Sequence, residues 1–139
     1  MRWLLDTNVW IQFLKGRDAA LQARIERADT DTLRVCSIVR AELLHGARGY
    51  ARPVDRARRI LDTLAPFQSL PFQSLPFNDI TADFYADIRF ELEQQGQVIG
   101  PNDLLIAAIC LANDCTLVTS NTSEFSRVPG LKCEDWSTP

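Results

Sequence analysis

The stretch GPNDLLIAAICLANDCTLVTSN, residues 100–121, joins a helix to a strand, and both are apolar enough to lie at the centre of a protein. Pro101 suits the first position of a helix. The nine residues 104–112 are all apolar, so the helix is expected to be buried nearly all round. TLVT, residues 116–119, is typical of a buried strand. Asp103 is the only ionisable residue at the head of this apolar helix, and its position requires an explanation.

Strands and helices alternate along the rest of the chain. This alternation predicts an α/β fold with a parallel sheet covered on both sides, in a single domain spanning residues 1–139. The other predicted strands are WLL (3–5), LRVCSI (33–38) and LKCEDW (131–136), and SNTSEF (120–125) is predicted to be a turn. The other helices are predicted after a cap at Thr7 or Asn8, after a cap at Asp18, over VRAELLHGA (39–47), from Pro53, and from a cap at Thr81 to Gly96, the last with Phe84, Ile88 and Leu92 on its buried face.

The segment PFQSL occurs twice in succession, at 66–70 and 71–75. Because strand side chains alternate with period two, a shift of five residues moves the phenylalanine to the opposite face. Pro71 and Pro76 also lack the N–H that a sheet requires. We therefore expect one copy to form a short strand and the other a loop.

Charge is unevenly distributed. The net charge of -3 and the pI near 5.1 argue against a generally basic, nucleic-acid-coating surface. The segment RGYARPVDRARR, residues 48–59, nevertheless holds five arginines and one aspartate. Arg56, Arg58 and Arg59 are candidates for binding RNA or a protein partner, and a solvated helix surface is the alternative.

The chain lacks the apolar segments that secretion or membrane insertion requires. Its start reaches Asp6 after only three apolar residues, too few for a signal peptide, and no run of about 18 apolar residues occurs. We expect a cytoplasmic protein with no membrane contact. Its four cysteines match no zinc spacing and are expected to be reduced and structural.

Three acids stand where a parallel sheet binds ligands, outside the carboxyl ends of its strands. Asp6 follows the first strand, Glu42 lies early in the helix after the second, and Asp103 heads the buried helix; Asn121 follows TLVT. Packing carboxylates together costs on the order of 4 kcal/mol for each close pair at an effective dielectric of about 20. Protons, an arginine or a divalent cation can offset that cost. Oxygen ligands beside a lone histidine favour magnesium or manganese over zinc.

Four motifs then resemble a known family in order and spacing. They are LLDTN (4–8), RAELLHGA (40–47), IGPNDLLIAA (99–108) and TLVTSNTSEFSRVPGLKCEDW (116–136). Together they resemble the PIN-domain endoribonucleases, specifically the VapC-type toxins of VapBC toxin/antitoxin pairs. The resemblance implies a PIN-like three-layer α/β/α fold with a short central parallel sheet of four to five strands. It also implies a Mg²⁺-dependent RNase, with Mn²⁺ as the alternative metal, that cleaves tRNA, rRNA or mRNA and so inhibits translation. A VapB-type antitoxin would neutralise it, and a homodimer within a larger toxin/antitoxin assembly is expected.

The resemblance also assigns roles to residues. The family's acids fall on Asp6, Glu42 and Asp103, and its fourth position, often Asp, falls on Asn121. Asp6 and Asp103 are expected to hold the metal, and Glu42 to orient or deprotonate the attacking water. Glu124 is a less well placed substitute for the fourth acid. Thr7, Thr119 and Ser120 are candidate hydroxyls that fix carboxylate rotamers or touch phosphate.

Two other functions were compared with the nuclease. A catalytically weakened PIN-like module that binds RNA or regulates a partner is conceivable, because Asn121 is a neutral and poorer metal ligand. A phosphatase of the haloacid dehalogenase type would need an Asp two residues after Asp6, where Asn8 stands. The phosphatase is therefore set aside, and the weakened module is kept as the alternative.

Overall fold

Two apolar strands, β1 (Trp3–Leu5) and β3 (Thr116–Val118), pair at the centre of the sheet. The structure is a computed structural model that describes residues 1–67 and 74–137. β2 (Leu33–Arg34) flanks β1 and β4 (Cys133–Glu134) flanks β3, so the order is β2-β1-β3-β4, with every pair parallel. Leu4 and Leu5 point to opposite faces and both are fully buried. Both faces of the sheet are therefore covered, and the predicted α/β fold is confirmed.

Helices connect the strands and pack on one another. α5 packs along α6, and α3 packs against α1, α4 and α6. In the described ranges the helices are α1 (Thr7–Lys15), α2 (Ala19–Arg27), α3 (Ser37–Ala47), α4 (Pro53–Leu64), α5 (Asp79–Gln94), α6 (Pro101–Ala112) and the short α7 (Thr122–Phe125), with a 3₁₀ turn at Ala65–Phe67.

The apolar helix α6 lies in the core as predicted. Leu104 and all five residues from Ile106 to Cys110 are buried. Pro101 occupies its first turn, and Asp103 is the one acid there. A helix held on nearly every side is a rigid support for a carboxylate at its N-terminus.

Two helix caps differ from the prediction. Asp6, not Thr7 or Asn8, caps α1, because its Oδ1 accepts the Val9 N–H at 3.1 Å. Asn78 caps α5, and Thr81 lies three residues further on with its hydroxyl donating to Asn78. The predicted cap at Asp18 is confirmed.

One predicted buried side chain on α5 was wrong. Ile88 and Leu92 are buried, whereas Phe84 is 39% exposed. Phe84 lies in the N-terminal half of α5, and the 3.6-residue period alone does not reveal where along a helix the covering layer ends.

The predicted strand over residues 33–38 was too long. Only Leu33–Arg34 pairs with β1, Cys36 makes an isolated parallel bridge with Leu75, and α3 begins at Ser37. Apolar residues lie on both sides of the junction, at 35–36 and 38–39, so period and propensity could not locate it. SNTSEF was also wrong as a turn, since it contains α7. The predicted division of the PFQSL repeat falls largely on residues 68–73, which lie outside the described residues.

The four cysteines are free thiols, and Cys36, Cys110 and Cys115 are buried. Burial raises the pKa of the Cys36 thiol to about 12, so this thiol is protonated and inert at neutral pH. Across the described ranges, no helix combines the length and apolar character needed to cross a bilayer.

Candidate active site

The predicted acids meet at the carboxyl edge of the two central strands. Asp6 follows β1, and its backbone N–H donates to the Val118 carbonyl of β3 at 3.0 Å. Glu42 comes from α3 and Asp103 from the first turn of α6. The negative charges of Asp6 and Glu42 both raise the pKa of Asp103, which means that the three carboxyl groups are electrostatic neighbours.

Asp6 is the buried acid of the site, with 6% of its surface exposed. Both of its oxygens have donors: Oδ1 accepts from the Val9 N–H, and Oδ2 accepts from the Thr119 hydroxyl at 2.5 Å. Burial raises the pKa of Asp6, the bonds from Thr119 and Val9 lower it, and the charge of Glu42 raises it. The net direction is upward, so the ionised form of this carboxyl is disfavoured in the absence of a cation.

Glu124 is the acid that acts most strongly on Asp103. Burial raises the pKa of Asp103 to about 6, and the charge of Glu124 contributes next, followed by Asp6, Glu42 and a side-chain hydrogen bond with Glu124. Two carboxyl groups within hydrogen-bonding distance need a shared proton or a cation between them. Glu124 Oε1 also accepts the Gly100 N–H at 2.9 Å. Glu124 therefore belongs to the site.

Glu42 is held by two side chains from different elements. Its Oε1 accepts from the Thr7 hydroxyl at 2.6 Å, and its Oε2 accepts from the Asn102 amide at 3.3 Å. Both partners donate, and each Glu42 oxygen keeps a further lone pair that can accept a hydrogen bond from water. This arrangement suits a group that orients a water molecule.

The sequence-predicted candidates divide into those that touch the acids and those that do not. Thr7 contacts Glu42, Thr119 contacts Asp6, and the Asn121 amide contacts Glu124. Ser120 is exposed after β3. Sequence reasoning undervalued Glu124.

Two polar groups of the site were missed altogether, the Asn102 side chain and the Gly100 N–H. Both belong to GPND, in which only Asp103 was predicted to be functional. The only available signal was that an Asn directly before Asp103 lies in the same first turn of α6 and can present its side chain at the same helix end.

The predicted basic face lies on α4 and is partly occupied by its own contacts. Arg59 donates to the Leu14 carbonyl at 2.7 Å. Arg56 stacks over the Tyr50 ring at 4.3 Å. Arg58 is exposed and lines a shallow depression of about 430 Å³ that also contains Asp55. Arg59 lines the same depression as Arg58 and, with Arg56, lines a second one beside it, so the three arginines are neighbours on α4 whose side chains are partly engaged by the protein itself.

The donor set fits a hard divalent cation. All four acids offer carboxylate oxygens, the ligands that Mg²⁺ and Mn²⁺ prefer. Within residues 1–67 and 74–137, no three acid, His or Cys side chains lie close enough together to enclose an ion by themselves. Gly100 leaves space beside the pair, since a Cβ there would lie 3.4 Å from Asp103 Oδ2 and 3.8 Å from Glu124 Oε1.

Comparison with known proteins gives one family. The model of the PIN domain matches residues 3–131. Ribonuclease VapC2 of Rickettsia felis is 33% identical over 140 residues, covering 98% of each chain. The tRNA(fMet)-specific endonuclease VapC of Shigella flexneri is 33% identical over 137 residues, covering 99% of each chain.

The structure also resembles solved structures of VapBC proteins. The crystal structure of VapBC2 from Rickettsia felis bound to a DNA fragment from their promoter contains a chain that is 32% identical to this one. The two superpose with a TM-score of 0.85, covering 99% of this chain and all of that one. The similarity extends over the whole length, so it includes every element that carries an acid of the site.

Proposed function

The chain belongs to the PIN domain family and, within it, to the VapC ribonucleases, and from this membership we propose that it is a metal-dependent endoribonuclease toxin. It hydrolyses phosphodiester bonds of RNA and thereby inhibits translation. The observation that carries the proposal is the convergence of Asp6, Glu42, Asp103 and Glu124, with the pKa of Asp103 raised to about 6 by burial and by the other three carboxylates. Carboxylates placed this close together repel one another, and such a costly arrangement is typical of a functional site whose charge is offset by a cation.

The four acids divide between two parts in the proposed reaction. Asp6, Asp103 and Glu124 would hold Mg²⁺, with Mn²⁺ as the alternative. When bound, the cation supplies positive charge that offsets the carboxylates, polarises the phosphate and activates water. Thr119 keeps the buried Asp6 carboxylate in one rotamer through its hydrogen bond.

Glu42 is proposed to orient the attacking water and to accept its proton. Thr7 and Asn102 fix the Glu42 carboxylate from two sides. The water oxygen forms a new bond to phosphorus, the bond to one ribose oxygen breaks, and that oxygen takes up a proton as it leaves. Each cleavage thus consumes one water and produces two RNA ends.

The partners follow from the same membership. A VapB-type antitoxin would bind and neutralise the protein, and a homodimer within a larger toxin/antitoxin assembly is proposed. Because one relative is named a tRNA(fMet)-specific endonuclease, initiator tRNA is the first substrate to test, beside rRNA and mRNA.

The test is cleavage of a mixed pool of tRNA and rRNA by purified, antitoxin-free protein. With Mg²⁺ we expect discrete cuts, and with excess EDTA we expect none, because three proposed ligand carboxylates then lack their cation. Adding Mg²⁺ back should restore cutting, and mapping the new ends identifies the substrate. Cutting that continues in EDTA would contradict the metal-dependent mechanism.

The alternative of a weakened binding module rested on the neutral Asn121. In our proposal Glu124 supplies the carboxylate that Asn121 lacks, which argues against that ground for the alternative. Well-folded protein that binds Mg²⁺ and RNA but leaves every RNA intact would restore the alternative.

We propose the α4 arginines as a contact for RNA or for the antitoxin. Replacing Arg56, Arg58 and Arg59 together by Ala should weaken RNA binding and make its salt dependence shallower, because fewer phosphates are neutralised. Because Arg59 also bonds the Leu14 carbonyl, the melting temperature of the triple variant is the check on its folding. An unchanged salt slope in the triple variant, measured by fluorescence anisotropy, would leave these arginines without a role in RNA binding.

A further inference from the structure

Asn121 does not make the bonds that its local sequence predicts. It is the N-cap residue of α7, and Asn is among the strongest capping residues. With Glu124 three residues later it also matches the pattern of a capping box. In the structure the Asn121 side chain makes no capping bond, and its backbone N–H donates to Thr119 Oγ at 3.0 Å. Stabilising the short helix therefore does not explain the side chain's position.

The Asn121 side chain donates instead to Glu124. Its amide nitrogen bonds Oε2, while the Gly100 N–H bonds Oε1 at 2.9 Å. Both Glu124 oxygens accept hydrogen bonds, and the nitrogen of the Asn121 amide, not its oxygen, faces Glu124. Each Glu124 oxygen thus has one donor, and the carboxylate is fixed at both of its oxygens.

The same loop connects two acids of the site. Thr119 Oγ accepts the Asn121 N–H and donates its own proton to Asp6 Oδ2. Glu124, at the other end of the loop, is the strongest charge partner of Asp103. The hydrogen bonds of residues 119–124 therefore hold Asp6 and the Asp103–Glu124 pair in a fixed position relative to each other.

We propose that Asn121 is a positioning residue that holds Glu124 as the fourth acid of the site, so that position 121 requires an amide and not a carboxylate. The inference rests on the proposed metal-dependent function. It reverses the expectation that Asn121 is a poor replacement for a metal-binding Asp. An Asp at 121 has no N–H to donate, and it places a like charge beside Glu124.

The two roles give opposite results for Asn121→Asp. If residue 121 is itself a metal ligand, the added carboxylate should tighten Mg²⁺ binding. If it positions Glu124, Mg²⁺ binding should weaken about 10-fold, the lower end of the range for groups that orient metal ligands. Isothermal titration of the full chain with Mg²⁺ alone measures this directly, without RNA.

A double-mutant cycle tests whether the effect passes through Glu124. Asn121→Ala should weaken Mg²⁺ binding about 10-fold in the wild-type chain and by no more than about 2-fold when Glu124→Gln is already present. Ser123→Ala, an exposed change in the same short helix, is the matched control and should bind as the wild type does. Melting temperatures verify folding, and the Ala cycle stands by itself if the Asp variant does not fold.

Several outcomes would overturn the positioning role. One is Mg²⁺ binding by Asn121→Asp that equals or exceeds that of the wild type. Another is a full 10-fold loss for Asn121→Ala in the Glu124→Gln background. RNA cleavage by the wild type separates the inference from the proposed function. If the wild type cuts RNA but Asn121→Asp binds Mg²⁺ as tightly as the wild type or more tightly, only the positioning role is rejected. If the Mg²⁺-binding pattern is as expected but the wild type cuts no RNA, only the nuclease function is rejected.

Discussion

The Asp103→Asn protein is expected to lose RNA cleavage by a factor of about 10³ or more in kcat/KM, equivalent to about 4 kcal/mol of transition-state stabilisation. The substitution keeps the shape of the side chain and removes the charge at the centre of the acidic cluster, where Glu124, Asp6 and Glu42 all act on it. Single-turnover cleavage of an end-labelled RNA, with protein in excess, measures the loss. Asp87→Asn, the same chemical change on an exposed position of α5, is the control and should cut normally.

The same variant should be more stable than the wild type when metal is absent. The folded pKa of Asp103 is about 6 against an ordinary value of 3.8, so between these pH values the folded chain binds more protons than the unfolded chain. Its contribution to stability is therefore greatest in acid and falls as pH rises through about 4 to 6. Because Asp103 is partly exposed, solvent screens its charge, and the expected gain in the unfolding free energy of Asp103→Asn is about 1 kcal/mol, or roughly 3–5 °C in Tm.

Thermal melts in EDTA at pH 4 and pH 7.5 test the sign. The Tm of Asp103→Asn should equal that of the wild type at pH 4 and exceed it at pH 7.5. Saturating Mg²⁺ should remove the advantage, because the cation stabilises only the chain that binds it. Lower stability of the variant at pH 7.5 in EDTA would mean that Asp103 is a structural helix-terminus acid and not a group kept at a cost for function.

The central part of the fold was accessible from the sequence, and so was the edge at which the acids meet. WLL and TLV are short apolar runs followed by polar residues, and parallel strands end at one edge of a sheet. Asp6 and Asn121, which come after these strands, could therefore be assigned to the same edge without coordinates, whereas Glu42 and Asp103 were assigned from their places near the starts of helices. The helix α6 was predicted from nine consecutive apolar residues, a pattern that can be recognised from the local sequence alone.

The remaining features depend on contacts between distant parts of the chain. Glu124 joins the site because the Gly100 N–H, 24 residues earlier, bonds it. Asn102 reaches Glu42 across 60 residues. Neither contact has a periodic signal in the sequence. The wrong cap for α1 has a different cause. Asp6 was predicted to belong to the site, so the cap was assigned to Thr7 or Asn8, whereas Asp6 has both roles.

Because Asp6 has these two roles, two substitutions at this position should have the same effect on RNA cleavage and different effects on stability. Asp6→Asn and Asp6→Ala should both lose cleavage about 10³-fold, because each removes the charge proposed to hold the cation. Their stabilities should differ. Asn retains an oxygen for the Val9 N–H, presents its amide N–H₂ to the Thr119 oxygen in place of the bond it can no longer accept, and no longer buries a charge, so its metal-free Tm should lie within a few degrees of the wild type.

The Ala variant loses the cap, at about 1 kcal/mol. It also leaves the Thr119 hydroxyl, which is 1% exposed, without its acceptor, at about 1–3 kcal/mol more. A loss of about 3 kcal/mol corresponds to a Tm lowered by roughly 10 °C. Equal melting temperatures for the two variants would show that the Asp6 oxygens have no structural role. Cleavage retained by Asp6→Asn would remove Asp6 from the active site. The expected pattern, with activity lost in both variants and stability lost in one, requires a single carboxylate that ends β1, begins α1 and binds the metal.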